Sequence, residues 1–223
     1  MAKEIELKLA IPDAGAASAV AQWLDRQGEP RGAFELANLY FDTPAGELAR
    51  NRAALRLRRH GAQWLQTLKT AGRSEAGLAV RDEWETPVDG EALQPERLPP
   101  AAQALLAPLM ARLVPVFRTD FHRRVWRIRR DGGEIEVALD RGSIVATGDF
   151  SGGAGNGGSL PPGSRSEPID ELELEWIGSD TAAAAPALRA LAAELAQVAA
   201  LTPSDRSKAA RGYRLAGFPS EVR

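Results

Sequence analysis

EIELKLAI, residues 4–11, alternates without a break: Glu4, Glu6 and Lys8 on one parity, Ile5, Leu7, Leu9 and Ile11 on the other. A period of two marks a β-strand with one buried face. Taken alone, the strand is compatible with a charged face turned to solvent. The same alternation recurs along the chain, and the recurrence changes its meaning. Arg56 and Arg58 alternate with Leu55 and Leu57, and Thr67 and Lys69 flank Leu68. Arg81, Glu83 and Glu85 alternate with Val80 and Trp84, although Asp82 breaks the pattern. Glu134, Glu136 and Asp140 alternate with Ile135, Val137 and Leu139, and Glu171, Glu173 and Glu175 with Leu172, Leu174 and Trp176.

An apolar parity repeated in so many strands must be covered, and three helical stretches are available to cover it: 14–27, 99–113 and 181–199. If they lie outside, the charged parity faces inward in a closed barrel. The competing arrangement is an open sheet with its charged face in water. Strands LANLYFD, AALRLRRH, QWLQTLKT, AVRDEWETPV, VFRTDFHRRVWRIRR, EIEVALDRG and DELELEW, without a βαβ rhythm, predict an α+β protein with a mainly antiparallel sheet. The Gly-, Ser- and Pro-rich stretch 148–168 reads as a mobile loop within one domain, between strands that pair as a hairpin.

The 223 residues allow one large domain or two small ones. A net charge of −2 from 28 basic and 30 acidic residues gives no field that calls for nucleic acid or a membrane surface. No apolar run approaches the ~20 residues of a membrane-spanning helix, and MAKEIELK lacks the apolar core of a signal peptide. The absence of cysteine excludes disulfides, thiolate zinc sites and cysteine nucleophiles. The expected setting is the cytoplasm.

Carboxylates two apart on one strand face are separated by roughly 7 Å, given a rise of ~3.3 Å per residue. Enclosed together they repel and lose solvation worth several kcal/mol per ion, so such clusters shift their pKa values or bind divalent cations. An enclosed array of Lys8, Arg56, Arg58, Lys69, Arg81, Arg123 and Lys208 equally requires a polyanion. Carboxylates, Mg²⁺ and an Arg/Lys array are the equipment for handling a phosphate chain.

These residues also carry a resemblance. EIELKLAI has the E-x-E-x-K signature of the CYTH superfamily, the triphosphate tunnel metalloenzymes. NLYFDTPAGELARNRAALRLRR, QTLKTAG, RDEWE, EIEVALDRG, EPIDELELEW and SKAARGYRL follow in that family's order. The chain looks most like the CYTH domain of bacterial inorganic triphosphatases, in which a helical CHAD domain often follows. It is therefore either a stand-alone enzyme or a CYTH domain from a longer protein.

The resemblance implies a closed eight-stranded antiparallel barrel, a tunnel that hydrolyses inorganic triphosphate to pyrophosphate and phosphate with Mg²⁺ or Mn²⁺, two ions in all. Glu4 and Glu6 would hold the metal that activates water, with Lys8 beside them. Lys8, Arg56, Arg58, Lys69, Arg81, Arg123 and Lys208 would grip phosphate oxygens, with Arg211 a weaker candidate. Glu83, Glu85, Glu136 and Asp140 would bind metal directly or through water, or fix the arginines. Glu171 and Glu173 would hold the metal on the triphosphate; Glu175 is expected near the tunnel mouth, with a plain salt bridge as its equal alternative. Strand parity around Arg123 is ambiguous against Arg118 and Arg124.

Other residues read as structural: the five tryptophans as wall packing, Tyr40 and Asp42 as framework, and His60 and His122 as non-catalytic. GGAGNGG lacks the Lys-Ser/Thr of a P-loop. Three alternatives stand beside the triphosphatase: a class IV adenylyl cyclase, a thiamine triphosphatase, and a non-catalytic polyphosphate- or nucleotide-binding module.

Overall fold

The computed structural model describes residues 2–130, 132–146 and 163–218. Eight strands form the barrel: β1 (Ala2–Ala10), β2 (Glu29–Asp42), β3 (Ala54–His60), β4 (Gln63–Lys69), β6 (Leu78–Val88), β7 (Val114–Arg130), β8 (Gly133–Ala146) and β9 (Arg165–Ile177). Every pairing is antiparallel, in the order β1-β9-β8-β7-β2-β3-β4-β6. The β1–β6 pairing, Ala2↔Glu83 to Leu7↔Leu78, closes the ring. Two short strands, β5 (Arg73–Glu75) and β10 (Thr202–Pro203), add to the edges of β6 and β1.

The apolar parity faces out, under helices. Helix α1 (Ala14–Gln27) begins at Asp13, whose Oδ1 accepts from Ala16 N at 2.8 Å, a cap for one of the free N–H groups of the first turn. It buries Val20 and Leu24 against Leu7, Trp126, Leu139 and Leu172. Helix α4 (Thr181–Ala196), capped by Asp180, covers the same layer with Ala184, Leu188, Leu191 and Leu195. Elsewhere Leu55 and Leu68 pack with Ala102 and Leu106 of α3 (Pro100–Leu106) and with Leu48 of the one-turn α2 (Glu47–Arg50). Asp42 anchors α2 by accepting from Thr43, Leu48 and Ala49 N, so its framework role stands. Among the described residues no helix is long and apolar enough to cross a membrane.

At one end the inward parity turns apolar. Leu36, Phe121, Ile144 and Ile169 fill the barrel beneath α5 (Lys208–Leu215). There Tyr40 stacks on Phe117 at 4.3 Å and Tyr213 of α5 meets Phe117 edge-on at 5.1 Å. Gly212 lets α5 dock, since a Cβ there would stand 2.1 Å from the Phe117 ring. The charged lumen is thus charged over part of its length and plugged by apolar side chains at one end.

Three boundaries differ from the sequence reading. The helix expected over 99–113 ends at Leu106 and resumes only as a 3-10 turn, Met110–Arg112; Pro108 interrupts it, having no N–H and disfavouring helix in the residue before it. Strand β2 starts at Glu29, seven residues before LANLYFD, because a register shift between Pro30 and Gly32 absorbs the residues that look like a break. Of the loop read over 148–168, residues 148–162 lie outside the described residues, and β9 already runs from Arg165. Pro168 is tolerated because β9 pairs with β1 only over Glu171–Glu175, leaving an edge at Pro168.

Candidate active site

The cavity inside the barrel measures about 540 Å³. The strands deliver its charge by parity: Glu4, Glu6 and Lys8 from β1, Arg56 and Arg58 from β3, Lys69 from β4, Arg81, Glu83 and Glu85 from β6, Arg123 from β7, Glu136 from β8, and Glu173 and Glu175 from β9. Lys208 reaches in from the first turn of α5. The inward-facing arrangement therefore holds and the open sheet does not. The parity ambiguity in β7 also resolves: Arg123 lines the cavity, whereas Arg124 pairs with Asp25 of α1 on the outer wall and Arg118 pairs with Asp120.

Behind Glu173 lies the most buried charge cluster. Oxygens of Asp140, Glu171 and Glu173 lie within 4.8 Å of one another. Their hard donors suit Mg²⁺ or Mn²⁺, and here protein cations hold them. Lys208 Nζ donates to Asp140 Oδ2 at 2.6 Å, to Glu173 Oε1 at 3.0 Å, and to Glu171. Lys8 Nζ lies 3.1 Å from Glu173 and 3.6 Å from Glu171. Arg123 forks onto Asp140 at 2.7 and 2.6 Å and reaches Glu173 at 2.6 Å. Burial opposes ionisation of Glu173, but Lys208, Lys8 and Arg123 outweigh it and hold its carboxyl well below the usual range. Burial likewise opposes the charge of Lys208, and Asp140, Glu171 and Glu173 more than restore it. Arg211 is not a lining residue: it binds Glu167 and Glu171, bracing the cluster from behind.

A second acidic group sits further along the same three strands, and it is unlike the first. Register places Glu6, Glu175 and Glu136 side by side on β1, β9 and β8. Arg81 binds Glu4 through Nε at 2.6 Å and also pairs with Glu6, and Lys69 reaches Glu4 at 2.7 Å. Burial opposes ionisation of Glu4, yet Lys69 and Arg81 hold it well below its usual range. Arg127 takes Glu136 at 2.9 Å. Glu175 makes no hydrogen bond or ion pair among the described residues. Burial, then the charges of Glu4, Glu6 and Glu136, push its carboxyl up to about 8. The plain salt bridge, one reading of Glu175, is not formed among the described residues: Glu175 lines the cavity beside the two glutamates of EIELKLAI, and the charge of Lys69 offsets only part of their repulsion.

The opposite imbalance occurs at Arg58. Its Nε donates to Asn38 Oδ1 at 2.8 Å, and among the described residues it has no carboxylate partner. Burial, followed by Arg56 and Arg123, lowers its guanidinium to about 10. Arg56 is better served: burial disfavours its charge, but Tyr40, Glu83 and Glu85 support it. Glu83 also pairs with Lys69 at 3.1 Å, and Glu85 accepts from Thr67 Oγ1 at 2.8 Å.

Three contributors escaped the charge pattern. Asn38 is buried and holds Arg58, Tyr40 lines the cavity beside Arg56, and Phe121 lies under Lys208 and Arg123 at 5.0 and 5.6 Å. Parity was their available signal: Asn38 and Tyr40 share one face of β2, and Phe121 shares one with Arg123.

Fold and lumen together define a tunnel protein, with apolar layers outside the barrel and buried carboxylates and cations inside. A family model of the CYTH domain matches residues 2–213, and the chain belongs to that family. An inorganic triphosphatase of Haemophilus influenzae is 34% identical over 188 residues, 78% of this chain and 45% of that protein. An uncharacterised Mycobacterium tuberculosis protein is 32% identical over 181 residues, 79% of this chain and 33% of that one. The chain thus spans less than half the length of these relatives. In fold it matches a Hippeastrum protein whose structure is described as revealing a dominant triphosphatase activity, with a TM-score of 0.66 at 20% identity over 99% of this chain and 100% of that one. A Pyrococcus horikoshii protein matches with a TM-score of 0.57 at 16% identity over 92% and 94% of the two chains.

Proposed function

We propose that the tunnel hydrolyses inorganic triphosphate to pyrophosphate and phosphate, as residues 1–223 acting as one CYTH domain in the cytoplasm. The observation that carries this reading is the paired imbalance across the lumen. Among the described residues Arg58, with Arg56 and Arg123 around it, has no ion-pair partner, and the charge of Glu85 compensates it only in part; Glu175, with Glu4, Glu6 and Glu136 around it, likewise has none, and Lys69 compensates it only in part. A phosphate chain and a divalent cation, entering together, would supply both. The Haemophilus influenzae relative supports the choice of substrate.

In this reading Arg56, Arg58 and Arg123 bind phosphate oxygens through fixed forks of donors, and Lys8, Lys69, Arg81 and Lys208 add point charges and further donors. All of these cations but Arg58 already lean on carboxylates, so substrate exchanges one set of anionic partners for another at those positions. Two groups of residues would hold Mg²⁺ or Mn²⁺, two ions in all: Glu4, Glu6 and Glu175 with Glu136, and Glu171, Glu173 and Asp140. When bound, such ions supply charge neutralisation on the phosphates and acidify water. Glu83 and Glu85 hold Lys69 and Arg56 in place. The buried, inward orientation of these side chains limits the water that competes for the phosphate oxygens.

A passive binding module would need the basic set alone; the uncompensated Glu175 beside Glu4 and Glu6 favours catalysis. A cyclase would need a purine site, and a thiamine triphosphatase an aromatic mouth. The deciding experiment measures phosphate release from triphosphate, ATP, thiamine triphosphate and long polyphosphate with Mg²⁺ or Mn²⁺. Triphosphate should be preferred, with activity lost in EDTA. Comparable conversion of ATP to cyclic AMP would overturn the substrate, and full activity after exhaustive metal removal would overturn the mechanism.

A further inference from the structure

Residues 70–77 cross one mouth of the cavity between β4 and β6, and Ala71, Gly72, Arg73, Ser74 and Gly77 line it. This crossing is pinned on both sides. Arg52, beyond α2, donates Nη2 to Gly72 O at 3.0 Å. From the other side, Asp205 Oδ1 accepts from Ser74 Oγ at 2.7 Å and from Gly77 N at 2.9 Å. Gly77 has φ +84°, and a Cβ there would lie 2.6 Å from Lys8 O and 3.2 Å from Pro203 Cβ, so the junction is tight. The backbone of Lys8 joins it: Lys8 N donates to Gly77 O at 2.9 Å, and Ser204 N donates to Lys8 O at 3.0 Å. Three segments far apart in sequence meet at Lys8. Asp205 bonds two of them together.

Three residues beyond Asp205 comes Lys208, at the start of α5, whose capping residue Ser207 accepts from Ala210 N at 3.1 Å. Lys8 and Lys208 reach the same carboxylates, Glu171 and Glu173. The clasp therefore stands between the backbones of two cations that converge from opposite ends of the sequence.

We propose that Asp205 is a positioning residue: by tying the 70–77 crossing to the chain entering α5, it sets Lys8 and Lys208 for phosphate binding. Its ligand rests on the triphosphate reading; its geometry does not. Both donors to Asp205 are neutral, so the acceptor oxygen matters and the charge does not. Asparagine keeps that oxygen and alanine removes it.

Asp205→Ala, Asp205→Asn and Ser74→Ala are compared in the full chain. Three measurements are made: calorimetric titration of triphosphate with Ca²⁺, kinetics with Mg²⁺, and amide hydrogen exchange across 70–78. Asp205→Ala should weaken triphosphate binding and raise KM about tenfold, equivalent to about 1.4 kcal/mol. Its kcat should change by less than about threefold, and Gly77 N–H should exchange about tenfold faster, as expected for a lost local bond. Ser74→Ala, which keeps the Gly77 bond, should show about a third of the KM effect, and Asp205→Asn should stay within about twofold of wild type. If Asp205→Ala does not fold, Ser74→Ala and Asp205→Asn carry the test. Unchanged Gly77 exchange and triphosphate binding in Asp205→Ala, unchanged binding in Ser74→Ala, or an asparagine variant as impaired as alanine, overturns the proposal. If wild type binds no triphosphate, the substrate reading fails, and the exchange of Gly77 alone decides the clasp.

Discussion

Replacing Glu175 with glutamine should make the metal-free protein more stable, and increasingly so as pH rises. The carboxyl titrates at about 8 in the folded chain and at the ordinary 4.5 when unfolded. Below 4.5 both states hold the proton and Glu175 contributes no penalty. Between 4.5 and 8 only the folded state holds it, so unfolding releases a proton and stability falls with rising pH; above 8 the loss is complete. At about 1.4 kcal/mol per pH unit across that interval, the loss has an upper bound of about 5 kcal/mol. Water in the lumen screens part of this, and about 2 kcal/mol is the expected gap at pH 8. Glutamine has the shape of the protonated carboxyl and cannot ionise. Urea unfolding in EDTA from pH 4.5 to 8.5 measures the difference directly. The variant and wild type should coincide near pH 4.5 and separate steadily above pH 5.5. A gap independent of pH, or a variant less stable than wild type at pH 8, refutes an uncompensated Glu175.

Glu6→Gln should cut kcat by about a hundredfold or more while triphosphate still binds, as for loss of a positioned catalytic group. Arg56→Ala should raise KM as well, losing a charge-assisted contact worth about 1.5–3 kcal/mol; titration with triphosphate and Ca²⁺ separates the two, and the reverse pattern would invert the assigned roles. Gly212→Ala should destabilise the chain by about 1–3 kcal/mol through overpacking, lowering Tm by about 3–8 °C in a thermal melt. It should also weaken triphosphate binding, because α5 carries Lys208; a variant with unchanged Tm would show that α5 does not seat on Phe117 as described.

Much of the barrel was legible because one rule generated it. Strict alternation in β1, β3, β8 and β9 fixed which face each side chain takes, and the surplus of charge on one parity chose the inside. What alternation could not convey was the neighbour across the strand. Glu175 looks like Glu171 and Glu173 in DELELEW, yet register sets it between Glu6 and Glu136, away from Lys8 and Lys208. Its unmet charge is a property of three strands and is invisible in one. Asn38 and Phe121 were missed and Tyr40 was read only as framework for a simpler reason: alternation of charge says nothing about neutral side chains, although their parity placed them inside. The helix over 99–113 failed at Pro108, where apolar spacing persists but the backbone cannot.

Closure of the ring has a consequence for how the chain folds. Strands β1 to β4 and β6 lie within the first 88 residues and pair among themselves, with β2 and β1 left as the two edges. Strand β7 then adds to β2, β8 to β7 and β9 to β8, each on its predecessor, until β9 meets β1. That last pairing joins residues more than 160 positions apart, such as Lys8 and Glu173. Contacts of such separation carry the largest loop-closure cost and form slowly. The edge on which β9 closes the ring is EIELKLAI, whose Leu7 and Leu9 face the outer apolar layer while Glu6 and Lys8 face the cavity. That pairing is what brings Lys8 to Glu171 and Glu173, so closing the ring and assembling this charge cluster are one and the same step.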